Sequence, residues 1–135
     1  MSALGRAWQK RRGVGLDVAP AVCALGLMFW FGLMPLKHLP GPQFELVDKV
    51  WHLFAFGGLA GLLSRTFVYF GRGALKAARE GSLAAVGLGA LLEVLQSFTH
   101  YRSADWADLL ADALGVLLAY TVLRVLDLAA ARGTA

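Results

Sequence analysis

The chain carries one cysteine, Cys23, so no internal disulfide can staple it. Neither a Cys-x-x-Cys nor a His-x-x-x-His pair is present, so the spacings that most readily announce a metal site are missing. No phosphate loop occurs, and neither glycine-rich stretch precedes a strand-like run, which argues against dinucleotide binding. Charge is scarce, at 16% of 135 residues, against about 25% in a soluble domain. The net charge is +4. Lysines and arginines fall between apolar runs and form no stripe, so membrane topology explains them better than a nucleic-acid surface.

What remains is apolar. Hydrophobic residues make up 58% of the chain, the mean hydropathy is +0.60, and the excess lies in runs. The length permits one domain. Lys10, Arg11 and Arg12 precede an apolar run as in a signal peptide, but that run is longer than a usual h-region and has no clear cleavage site before Lys37–His38. The expected class is therefore all-α, a polytopic membrane bundle of four transmembrane helices: Val18–Leu36, Val50–Phe70, Ser82–Phe98 and Asp105–Leu126. Pro20 falls in the first turn of the first helix, where its missing N–H costs nothing, and Pro35 falls at its end. A short helix is expected over Ala74–Glu80, and Cys23 reads as a packing residue.

Charge sets the expected orientation. Arg6, Lys10, Arg11, Arg12, Arg65, Arg72, Lys76, Arg79, Arg124 and Arg132 mark one side, and Lys37, Lys49 and Arg102 the other. The richer side is cytoplasmic by the positive-inside rule, so both termini are inside. The expected organisation is a basic cytoplasmic N-terminus at 1–17, a membrane domain at 18–126 and a cytoplasmic tail at 127–135.

Polar residues inside the apolar runs carry the functional signal, because ionisable groups are costly in a bilayer. Asp48 and His52 share a face, being four apart; Glu93 and Gln96 are three apart; Asp105, Asp108 and Asp112 follow three-then-four spacing. With Lys49 and Arg102 they form a candidate polar site near the outer face. Small residues show how these faces approach. Gly81, Ala85 and Gly89 lead into Glu93, and Ala107, Ala111, Gly115 and Ala119 run beside the aspartates. Gly57 and Gly61 form a further pair that lies roughly opposite His52, so the second helix is expected to be contacted on two sides. Packing alone is the simplest role of each stripe.

His52 is open to three roles: a hydrogen-bonded structural residue, a proton carrier or a ligand. A metal would use His52 with Glu93, Asp108 and Asp112, and one imidazole with oxygens suits Mg²⁺, Mn²⁺ or Zn²⁺. Lys49 and Arg102 offer charge to an anionic group, or partner Asp48 and Asp105. Trp51, Tyr101 and Trp106 fit interfacial anchors or the walls of a ligand site. Phe54 and Phe56 read as packing or lipid-facing residues.

These residues resemble a known pattern. Asp48-Lys49-Val50-Trp51-His52-Leu53-Phe54-Ala55-Phe56 resembles the D-K-x-x-H-F-x-A-F opening of the VanZ-like family. Glu93-Val94-Leu95-Gln96 resembles its E-x-x-Q element. Arg102 to Asp108, followed by Asp112 and Gly115, resembles its R-x-x-x-x-D-x-x-x-N-x-x-G close, with one more residue between Arg102 and Asp108 and with Asp112 where asparagine is usual. The resemblance covers about residues 48–118. It implies a cell-envelope membrane protein related to one linked to resistance to the glycopeptide teicoplanin. It implies no particular reaction or cofactor. Three functions stay open: binding of a lipid-linked envelope precursor or glycopeptide at the outer leaflet, an intramembrane lipid-modifying enzyme, and a proton-coupled transporter. The bilayer is the expected partner, and the sequence sets no oligomeric state.

Overall fold

The computed structural model describes residues 14–35, 45–100 and 105–132. Five helices follow one another, with no strand among the described residues: α1 Val14–Asp17, α2 Ala19–Gly32, α3 Glu45–Tyr69, α4 Ala74–Ser97 and α5 Trp106–Arg132. The first expected helix, Val18–Leu36, corresponds to α2, which ends earlier at Gly32, and the short α1 precedes it. Pro20 lies in the opening turn of α2, where no intrahelical N–H is needed. The second helix starts earlier than its apolar run. The short helix over Ala74–Glu80 is not separate: α4 runs through Gly81 without a break.

The α3–α4 turn shows how the sequence ends a helix. Gly71 has φ 88°, a left-handed backbone that glycine tolerates. The Arg72 amide donates to the Phe67 carbonyl at 3.0 Å and the Gly71 amide to Val68 at 2.9 Å, the paired bonds of a Schellman stop. At the start of α5, Asp105 Oδ1 accepts from the Ala107 amide at 2.8 Å, an aspartate N-cap.

Helix α3 is central and packs against all four other helices. Buried Phe56, Leu59, Ala60, Ala85, Leu92 and Val116 form the apolar core, with one face of α2 against it. Elsewhere the arrangement is inverted relative to a water-soluble protein. Large apolar side chains, among them Trp30, Phe54, Leu83 and Leu117, are exposed, while His52, Ser64, Ser82, Glu93, Gln96, Asp108 and Asp112 are buried. An apolar exterior over a polar interior suits lipid as the surrounding solvent. Cys23 is exposed, so it belongs to that exterior and not to the packing.

Among the described residues, three helical stretches are long and apolar enough to cross a bilayer: Val14–Gly32, Leu46–Tyr69 and Trp106–Ala130. The chain is a multi-pass helical membrane protein. The fourth expected span is not met on composition. Helix α4 has 24 residues, but Lys76, Arg79 and Glu80 occupy its beginning and Glu93 and Gln96 its end, which shortens the apolar part.

Helices meet through missing Cβ atoms. A Cβ on Gly57 would lie 2.8 Å from the Gly115 carbonyl oxygen, and one on Gly115 would overlap the Leu53 carbonyl, so α3 and α5 touch backbone to backbone. A Cβ on Gly81 would lie 2.6 Å from the Ser64 amide nitrogen, which brings α4 equally close to α3. Gly57 therefore meets the same helix as His52 and not an opposite neighbour, and Gly61 has open space around it.

Candidate functional site

The beginning of α3 lies beside the start of α5 and the end of α4, so the polar residues of all three collect at one end of the bundle. His52 Nδ1 lies 2.9 Å from Asp112 Oδ1. An ionised Asp112 accepts that bond and so places the ring proton on Nδ1. The opposite ring nitrogen, Nε2, is 3.9 Å from Asp108 Oδ2. Phe56 stacks one turn below, with ring centroids 6.0 Å apart and planes 18° apart, which limits the tilt of the imidazole. Phe56 stands four residues after His52 and so shares its face, whereas Phe54 stands two after it and does not. The structure separates them, with Phe56 buried and Phe54 exposed.

Glu93 closes the third side. Its Oε2 accepts the Asp105 amide at 2.9 Å, which ties the end of α4 to the start of α5. Lys49 caps the cluster at its more open edge, with Nζ 3.1 Å from Asp105 Oδ2 and 3.5 Å from Asp108 Oδ1. The Ala107 amide, and then Lys49, hold the Asp105 carboxyl below the usual carboxylate range. Asp48 places a carboxylate oxygen within 4.8 Å of ligand atoms on His52 and Asp108.

The structure brings together Asp48, Lys49, His52, Glu93, Asp105, Asp108 and Asp112. Gln96 does not join them. Its Nε2 donates to the Gly32 carbonyl at 2.9 Å and so ties α4 to the end of α2. Arg102 and Tyr101 lie outside the described residues. Trp51 and Trp106 face outward from the bundle and line no part of the cluster interior.

Beneath Lys49 the cluster is acidic and under-satisfied. Glu93 Oε1, Asp108 Oδ1 and Asp112 Oδ2 are buried and have no hydrogen-bond partner among the described residues. The Asp108 oxygen still has the Lys49 ion pair. Such oxygens attract hydrogen-bond donors or a cation, since a buried acceptor without a donor is costly. The imidazole, held on one side by a carboxylate, is also suited to moving a proton.

A second polar contact sits at the opposite end of the bundle, and sequence spacing does not reveal it. Arg65 Nε donates to the buried Asp17 Oδ1 at 2.8 Å, and Thr66 Oγ1 donates to the Asp17 carbonyl at 2.7 Å. A lone arginine inside an apolar run is the one signal for it, because a charge there requires a partner.

Neither the curated proteins nor the solved structures that were compared gave a match to this chain. The VanZ/LLP1 family model matches residues 13–127, which takes in α1 to α4 and α5 as far as Asp127, and the chain belongs to the VanZ/LLP1 family.

Proposed function

We propose that this VanZ-family protein spans the cell membrane four times, with both termini cytoplasmic, and binds the polar head of a lipid-linked envelope precursor or a glycopeptide drug at the outer leaflet. Such binding would alter glycopeptide sensitivity. The observation that carries the reading is the set of buried carboxylates, Glu93, Asp108 and Asp112, gathered round His52 beneath a part-exposed Lys49–Asp105 pair. A head group rich in hydroxyl, amide or amine donors matches those oxygens, and its lipid or apolar part matches the exterior of the bundle.

Two experiments test this. Cysteines at Pro42 and Thr99 should label from outside and one at Gly73 should not; labelling at Gly73 alone reverses the orientation. His52→Ala, Glu93→Ala and Asp108→Ala should abolish a change in glycopeptide sensitivity while the protein still inserts. If all three insert poorly, the cluster serves folding and the binding role is wrong.

The His52–Asp112 bond favours a second reading, an intramembrane enzyme in which Asp112 orients His52 as general base on an envelope lipid. Only this reading demands a covalently changed product. Lipid mass spectrometry of deletion and complemented cells decides between them. A transporter fits less well, because a transport site lies near the midplane between repeats and this cluster lies at one end.

A further inference from the structure

We infer that His52, Glu93 and Asp112 bind one divalent transition-metal ion, of the zinc or manganese class, at the meeting point of α3, α4 and α5. One imidazole nitrogen and one oxygen from each carboxylate lie within 4.8 Å of one another. Two ligands facing each other across an ion with bonds of ~2.1 Å stand ~4.2 Å apart, so side-chain movements below an ångström close the set.

Acidic groups near one another do not make a metal site, and two further observations point to a ligand. All three residues are more than nine-tenths buried, at 8%, 6% and 0% exposed. Glu93 Oε1 and Asp112 Oδ2 have no hydrogen-bond partner among the described residues. The Lys49 ammonium, the nearby described cation, lies against Asp105 and Asp108 instead. The residue of α4 beside Asp112 Oδ2 is Gly89: a Cβ there would lie 2.6 Å from that oxygen, so glycine leaves it uncovered by a side chain at that position.

The donors choose the ion. An imidazole favours a transition metal over magnesium or calcium, and the absence of thiolate from the set disfavours copper(I). A second triad, Asp48, His52 and Asp108, shares the imidazole. There Lys49 Nζ, 3.5 Å from Asp108 Oδ1, competes with a cation. Asp108 instead takes the outer place. With the ion on Nδ1, the ring proton moves to Nε2, on the side where Asp108 Oδ2 stands at 3.9 Å. A carboxylate behind a ligating histidine is the usual way to fix its tautomer. The ion takes two of the buried oxygens, on Glu93 and Asp112, that the proposed head group would otherwise meet, so a head group bound together with the ion meets Asp108 and the Lys49–Asp105 rim; ion binding is tested without any head group.

The test uses the full chain in detergent, stripped with chelator and dialysed against Zn²⁺ or Mn²⁺ alone, with bound ion counted by elemental mass spectrometry. The expected result is about one ion per chain, saturable and removed by chelator. Glu93→Gln and Asp112→Asn should weaken binding at least ~tenfold, while Cys23→Ser, an exposed change on α2, should not weaken it. Size exclusion reports whether each variant folds. If the ligand variants fail to fold, X-ray absorption of the zinc-loaded wild type takes their place, with an imidazole plus oxygen shell expected. Less than ~0.1 ion per chain, unchanged binding in folded Glu93→Gln, or a shell without imidazole overturns the inference.

Discussion

Alanine at Gly115 should separate two helices and disturb the polar cluster one turn away. The Cβ would overlap the Leu53 carbonyl oxygen, a backbone atom that cannot rotate aside. At Gly57 the comparable contact, with the Gly115 carbonyl, is 2.8 Å. A relaxed contact needs about 3.5 Å, so Gly57→Ala asks for a separation of about 0.7 Å and Gly115→Ala for more than about 1 Å. Overpacking of this kind costs about 1–3 kcal/mol, and the Gly115 change belongs at or above the upper end. Gly58 supplies the control: it lies on the same helix as Gly57, and a Cβ there would meet nothing within 4 Å. Gly58→Ala should be neutral or stabilising by up to about 1 kcal/mol, the helix-propensity gain over glycine. Reversible unfolding in detergent, followed by circular dichroism, gives the three values. Nitrogen NMR of the His52 imidazole adds a local readout, because separating α3 from α5 lengthens its 2.9 Å bond to Asp112. A Gly115→Ala protein as stable as Gly58→Ala, with its imidazole signals unmoved, would refute the backbone contact between α3 and α5.

Asp112→Ala leaves His52 Nδ1 without its carboxylate and should destabilise by about 2–4 kcal/mol, whereas Asp112→Asn, which keeps an acceptor, should cost less than about 1.5 kcal/mol in the same assay. Arg65→Ala removes the donor to buried Asp17; a loss of about 1.5–3 kcal/mol is expected, with early hydrogen exchange in α1 and α2 as its signature. Asp105 gives a pH dependence of known sign. Its folded-state carboxyl lies below the ordinary value, so its stabilising effect is complete above about pH 4 and fades as pH falls through the lower folded value. The stability difference between wild type and Asp105→Asn should therefore be flat above about pH 4 and shrink below it; a difference that grows on acidification would contradict the sign.

Helical class and the residues of the polar end are legible in the sequence because both depend on short-range spacing. Asp105, Asp108 and Asp112 share a face through local periodicity, and α5 carries them to α3 unchanged. Contacts between distant segments are not legible. The Asp17–Arg65 pair joins residues 48 apart, and no local pattern links them. Gln96 follows Glu93 by less than one turn, yet it bonds Gly32 on α2. Gly81 reads in sequence as the start of a small-residue stripe, and its missing side chain does serve close approach, to Ser64 on α3; what spacing leaves open is that the helix runs through it from Ala74. The fourth span looks complete only while the apolar run after Gly81 is weighed apart from the charges that precede it on the same helix.

The bond from the Asp105 amide to Glu93 has a consequence for biogenesis. During synthesis α4 leaves the ribosome before α5, and at that moment its glutamate has neither the amide nor the cluster to accept it. An unpaired carboxylate costs up to about 2.5–3.5 kcal/mol at a bilayer centre and less toward the end of a helix, where Glu93 sits, and α4 has a short apolar part with which to offset that. If α4 crosses the bilayer, the route of least cost is to wait at the translocon and to partition with α5 as a hairpin. Truncation of nascent chains just before Trp106 should leave α4 accessible to water, and extension through α5 should bury it.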